Sequence, residues 1–175
     1  EQCSFLNNSC SQGGGAVAAV EGSVIRMVRC ELGYNRSSSG GGGLSISGSS
    51  LFATNCLWHH NVGEGPGGAL HAQASPVWIV NGTIADNRSD STGGGFALQG
   101  EAESQVVNSI VWGNAGSPVY SVATNAQISV NYGAALQIAY SSVQDWPTLT
   151  NHVVSLHPIF DPGDRFPYSL DPRSP

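Results

Sequence analysis

Asparagine recurs along this chain at nearly constant intervals: Asn8, Asn35, Asn61, Asn87 and Asn114 are 27, 26, 26 and 27 residues apart. Five residues before each stands a small residue, Cys3, Cys30, Cys56, Gly82 or Ser109. Two residues after each small one comes an apolar residue: Phe5, Leu32, Trp58, Ile84 or Val111. A further Asn precedes the small residue at Asn55, Asn81 and Asn108, with Arg29 in that place one repeat earlier. Glycine runs follow the main Asn positions and lead into alternating stretches such as Leu44-Ser45-Ile46-Ser47. Repeats at a fixed period of this length mean a stacked architecture. The period is shorter than a propeller blade, no helical spacing runs through it, and the signature of leucine-rich repeats is absent.

What fits is an all-β, right-handed parallel β-helix of about five coils of 26–27 residues, each with three short strands and three turns. Coils stack at strand spacing, about 4.8 Å, so five span about 24 Å. Apolar columns become the core. The Asn column becomes a ladder of side-chain amides, each donating to the next. Glycines are expected at positive-φ turn positions. Residues 1–140 form the coils. Residues 141–175 form an irregular C-terminal cap, because six of the nine prolines (Pro147, Pro158, Pro162, Pro167, Pro172 and Pro175) fall there and a solenoid must cover its last coil.

Charged residues are 10% of the chain, the net charge is −6, and all six basic residues are arginines. An acidic surface without lysine repels phosphate backbones, so nucleic acid is not an expected partner. No apolar run reaches the roughly 20 residues that span a bilayer.

Strand alternation sorts the segment before each small column into two faces. Ile25, Leu51, Val77 and Ser104, with Met27, Ala53, Ile79 and Val106, face inward. Arg26, Phe52, Trp78 and Gln105, with Val28, Thr54, Val80 and Val107, face outward. An apolar outward sheet marks an interface or lies under another segment. The occupants to weigh are the C-terminal tail, a partner protein or second copy, and a glycan stacked on the aromatic rings. Phe52, Trp78, Arg26 and Val80 are therefore the candidate binding residues.

The remaining chemistry-bearing residues are more simply read as structural. Cys3, Cys30 and Cys56 share one inward column and read as a stack of buried thiols, with Cys10 the alternative partner if a bridge forms. His59 and His60, with His71 on the next strand, lack a fourth ligand at metal spacing and read as a partly exposed pair. Asp86, Asp90 and Glu64 read as an acidic, solvated turn edge. Asp161 and Asp164 read as a turn. Four glycosylation sequons begin at Asn7, Asn35, Asn81 and Asn87, but Asn35 and Asn87 belong to the ladder, which excludes a glycan. No residue is assigned a catalytic role, and no metal or cofactor is expected.

The stretches NCLWHHNVGEGPGGAL (residues 55–70) and NGTIADNRSDSTGGGFAL (residues 81–98) resemble the repeats of the pectate-lyase-like superfamily of right-handed parallel β-helices. They are similar to the units of bacterial secreted β-helix proteins and polymorphic outer-membrane proteins. IAYSSVQDW (138–146) and HPIFDPGDRFPYSLDPRSP (157–175) resemble the terminal segment of the same group. Both ends of the chain fall inside such units, which implies the C-terminal part of a longer solenoid. Repeats of this kind occur in enzymes, adhesins and surface proteins alike. The expected function is a non-catalytic extracellular or cell-surface scaffold or adhesion domain, self-associating or packed on a partner protein. The alternative is a polysaccharide-binding or polysaccharide-degrading domain, lyase- or hydrolase-like, or the C-terminal part of a longer such enzyme.

Overall fold

The computed structural model describes residues 2–117, 126–146, 152–158 and 168. Among these the chain is built of twenty short strands and no helix. It is a parallel β-solenoid. Each coil contributes one strand to each of four sheets, and each strand pairs in register with its equivalent one coil on.

The first sheet contains β1 (Ser4–Leu6), β5 (Glu31–Gly33), β9 (Leu57–His59), β13 (Thr83–Ala85), β17 (Ile110–Trp112) and β20 (Ser142–Val143). The second holds two-residue strands: β2 (Ser9–Cys10), β6 (Arg36–Ser37), β10 (Val62–Gly63) and β14 (Arg88–Ser89). The third contains β3 (Val17–Val20), β7 (Leu44–Ser47), β11 (Leu70–Gln73), β15 (Phe96–Gln99) and β18 (Ile128–Asn131). The fourth contains β4 (Val24–Val28), β8 (Ser50–Thr54), β12 (Val77–Val80), β16 (Glu103–Val107) and β19 (Ala135–Ala139).

Two expectations are corrected. A coil has four strands rather than three, because the residues just after the ladder Asn pair as the two-residue second sheet. The solenoid has about four full coils rather than five: after β16 the second sheet shrinks to a bridge between Arg88 and Ala115, and strict spacing ends. The first sheet nevertheless continues to β20.

Three columns of left-handed residues turn the chain at its corners. Asn7, Tyr34, His60, Asp86, Gly113 and Asp145 follow the first sheet. Glu21, Gly48, Ala74, Gly100 and Tyr132 follow the third. Arg29, Asn55, Asn81, Asn108 and Tyr140 follow the fourth. Asn tolerates this conformation better than most residues, which explains its recurrence at positions 55, 81 and 108. Most residues of the glycine runs do something else. Gly13, Gly67 and Gly93 have positive φ, but Gly15, Gly42, Gly68 and Gly94 do not. They stack backbone on backbone: a Cβ on Gly42 would collide with the carbonyl of Gly68, and one on Gly68 with that of Gly94.

The Asn column forms as expected. Asn8, Asn35, Asn61 and Asn87 each donate Nδ2–H to Oδ1 of the next Asn, at 3.0, 2.9, 2.9 and 2.9 Å. Each backbone N–H donates to the same oxygen. The second amide proton of Asn35, Asn61, Asn87 and Asn114 satisfies a carbonyl of the preceding coil: Phe5, Leu32, Trp58 and Ile84. Beyond Asn114 the ladder is carried by Gln127, whose Oε1 accepts from the Asn114 amide at 2.8 Å and whose Nε2 donates to Gln144 at 3.1 Å. Gln127 stands 13 residues after Asn114, so the repeat spacing could not reveal it.

The small column is a second ladder. The N–H groups of Cys30, Gly82 and Ser109 donate to Sγ of Cys56, Oγ of Ser109 and Oγ of Ser141. A small side chain with one acceptor meets this need while fitting the corner. Leu32, Trp58, Ile84, Val111, Leu44, Leu70, Phe96, Leu51 and Ile79 fill the core. Trp58 is fully buried and its Nε1–H has no partner among the described residues, a state that costs about 1–3 kcal/mol.

Candidate functional site

The outward face of the fourth sheet gathers the candidate binding residues. In-register pairing sets Arg26 beside Phe52, Phe52 beside Trp78, Trp78 beside Gln105, and Gln105 beside Gln137. One side chain per coil at strand spacing brings neighbouring rings into contact. Phe52 and Trp78 stack with centroids 4.5 Å apart and planes 5° from parallel. The Arg26 guanidinium lies 4.8 Å above the Phe52 ring, a cation–π contact. Val80 is one column along, aligned with Thr54 and Val107. Val24 and Val80 are 57% and 37% exposed. The inward partners Leu51, Ala53, Val77 and Ile79 are buried, so the expected sorting of faces is what the strands adopt.

Charge is sparse on this face. Arg26 lies in the first coil and Glu103 in the fourth, both are exposed, and among the described residues neither takes part in an ion pair. Beside Trp78 lies a cleft of about 270 Å³ lined by Glu103, Gln105 and Gln137. A second hollow of about 510 Å³ continues past Gln137 to Tyr140 and His152, whose rings stack at 4.7 Å.

A different cluster covers the first sheet. A strand turns alternate residues to opposite faces, so His59 points outward and lies across Gly33, where a Cβ would strike its ring. The left-handed backbone of His60 swings the next imidazole to the same side. Glu31 Oε1 is 3.0 Å from His59 Nε2, and His59 Nδ1 is 3.2 Å from His60 Nδ1. Tyr168 Oη is 3.0 Å from His60 Nδ1 and donates to Asp86 Oδ2 at 2.9 Å. Tyr34 stacks on His60 at 4.8 Å. The pair is partly exposed as expected, but unevenly: His60 is exposed, whereas His59 is 2% exposed and packed among Tyr34, His60 and Tyr168. Burial first, and then the Asp86 carboxylate, push the Tyr168 phenol far above its usual range. His71 sits on the third sheet beside Gln99, 3.3 Å away. Burial lowers its proton affinity.

Asp86 and Glu64 are exposed and Asp90 is half-buried, as expected of a solvated turn edge, and each carboxylate has its own partner. Glu64 pairs with Arg36 at 2.7 Å, Asp90 pairs with Arg88 at 2.6 Å, and Asp86 accepts from Tyr168. Among the described residues no three His, Cys, Asp or Glu side chains come together to hold a metal ion. Asp161 and Asp164 lie outside the described residues. Cys30 and Cys56 are buried, and burial raises the Cys56 thiol. Cys3 departs from the expected buried stack: it belongs to the first coil, where no earlier described coil covers it, and it is exposed, as is Cys10. Asn35 and Asn87 are 1% exposed, which removes their sequons. Asn7 and Asn81 are exposed.

Sequence reasoning passed over Tyr168, Glu31 and Tyr34. Tyr168 lies 108 residues from its partner His60 and no spacing announces it, whereas Tyr34 stands one 26-residue repeat before His60 in the same corner column and Glu31 lies 28 residues before His59, so the period could have found those two. Compared with protein-family models, curated proteins and solved structures, the chain has no match. No helix among the described residues is long and apolar enough to cross a membrane.

Proposed function

We propose that this chain is a non-catalytic scaffold or adhesion domain, extracellular or on a cell surface, of the right-handed pectate-lyase-like β-helix type. Its outward fourth-sheet face is the recognition surface. The observation that carries this reading is the Arg26–Phe52–Trp78 stack, which sets two large rings on the outside of a sheet whose fold needs only the inward residues. The repeated polar side chains support the same reading from the other side. The Asn, Cys and Ser columns are consumed in bonds between coils, so the regularity of the chain serves stacking.

The test compares the wild-type chain with a Phe52→Asp/Trp78→Asp double variant. Retention on immobilised copies of the chain and on a glycan array should be lost in the double variant while its far-ultraviolet spectrum and melting temperature are kept. A Phe52→Thr/Trp78→Thr variant, which preserves strand propensity, guards against loss through misfolding. Unchanged retention, or turnover of any polysaccharide in a lyase and hydrolase panel, would overturn the reading.

A second reading, polysaccharide binding, is favoured by the cleft beside Trp78. Gln105 and Gln137 can each donate and accept hydrogen bonds, as sugar hydroxyls require, next to an aromatic ring. Signal on the glycan array that the Trp78 variants abolish selects it.

A further inference from the structure

We propose that the fourth-sheet face is where two copies of the chain meet, related by a two-fold axis passing between Phe52 and Trp78. The proposal rests on the reading of that face as a recognition surface and names its occupant. Arg26, Phe52, Trp78 and Glu103 stand on four successive strands of the sheet, β4, β8, β12 and β16. A two-fold axis between β8 and β12 exchanges the first coil with the fourth and the second with the third. It therefore lays the rings of one copy on those of the other and carries each Arg26 to the strand that holds the partner's Glu103.

The two charges have opposite sign and stand three coils apart, roughly 14 Å at strand spacing. Among the described residues they enter no ion pair. Glu103 is offset along its strand, two residues before Gln105 and about 7 Å to the side, a distance an extended arginine covers. Self-complementarity of this kind is what a two-fold interface demands. Each dimer would contain the Arg26–Glu103 contact twice.

Size decides how strong the pairing is. The four facing strands of about five residues cover roughly 19 by 17 Å, on the order of 300 Å² for each copy. Stable interfaces bury about 800 Å² a side. The dimer is therefore weak and concentration-dependent, held at its centre by the aromatic pair and set in orientation by the charges.

The experiment is sedimentation of the whole chain from micromolar to millimolar concentration, in reductant because Cys3 and Cys10 are exposed. Wild type should pass reversibly from monomer to dimer. Arg26→Glu alone and Glu103→Arg alone should each stay monomeric, since each meets its own copy with two like-charge contacts. An equimolar mixture of the two variants should dimerise again, because one face is then wholly acidic and the other wholly basic. Three outcomes overturn the proposal: a wild type that stays monomeric throughout, single variants that dimerise as well as wild type, or a mixture that stays monomeric. If the wild type is monomeric yet the Phe52→Asp/Trp78→Asp variant loses retention on the glycan array, the dimer fails and the recognition surface stands.

Discussion

Asn61 makes the case for the ladder residue by residue. It donates to Leu32 and Asn87 and accepts from both the backbone and the amide of Asn35, all inside a fully buried corner. Asn61→Ala strands several of these groups away from water, each at roughly 1–3 kcal/mol. A loss of about 3–4 kcal/mol in urea unfolding is expected, against less than about 1 kcal/mol for Asn8→Ala at the exposed end. Two titratable residues add a pH dependence of known sign. His71 binds its proton less readily when folded, so below about pH 6.5 the unfolded chain takes up protons that the folded chain refuses, and stability falls with pH. Tyr168 holds its proton more tightly when folded, so stability falls as pH rises above about 10, where only the unfolded chain ionises. Urea midpoints across pH should show both limbs. His71→Gln should flatten the acid limb and Tyr168→Phe the alkaline one.

At the scale of strands and corners, the legible part of the fold was the part that repeats. The Asn column, the inward and outward sets of the fourth sheet, and the apolar first-sheet column all follow from period and alternation, because stacking forces equivalent residues into equivalent places. The two-residue second sheet stayed hidden since Arg36-Ser37 or Val62-Gly63 carry no strand pattern of their own; their pairing is imposed by the corner before them. The role of the glycine runs was misread for a related reason. A glycine needed for φ and one needed for close approach look alike in sequence, and only the neighbouring coil tells them apart. Gly68→Ala measures the second kind. Gly68 has ordinary φ, so conformational freedom alone would make alanine neutral or favourable. The collision with the Gly94 carbonyl instead predicts destabilisation well beyond the roughly 1 kcal/mol of ordinary glycine effects, read as a lower urea midpoint.

Over the whole molecule, the candidate site was half legible. Phe52, Trp78, Arg26 and Val80 came from alternation and sit together on one face as expected. The His59–His60–Tyr168–Asp86 cluster did not, since contacts across more than 80 residues leave no local trace. The two surfaces differ in kind. The first-sheet cluster is closed by its own hydrogen bonds, whereas the fourth-sheet face carries large stacked rings and two opposite charges that form no ion pair among the described residues. Everything rests on coils stacked in one register through the Asn ladder, and amide hydrogen exchange tests that most directly. The backbone amides of Asn35, Asn61, Asn87 and Asn114 should be among the slowest in the chain and exchange only on global unfolding. Fast exchange at these four positions, at rates typical of exposed turns, would contradict the stacked solenoid.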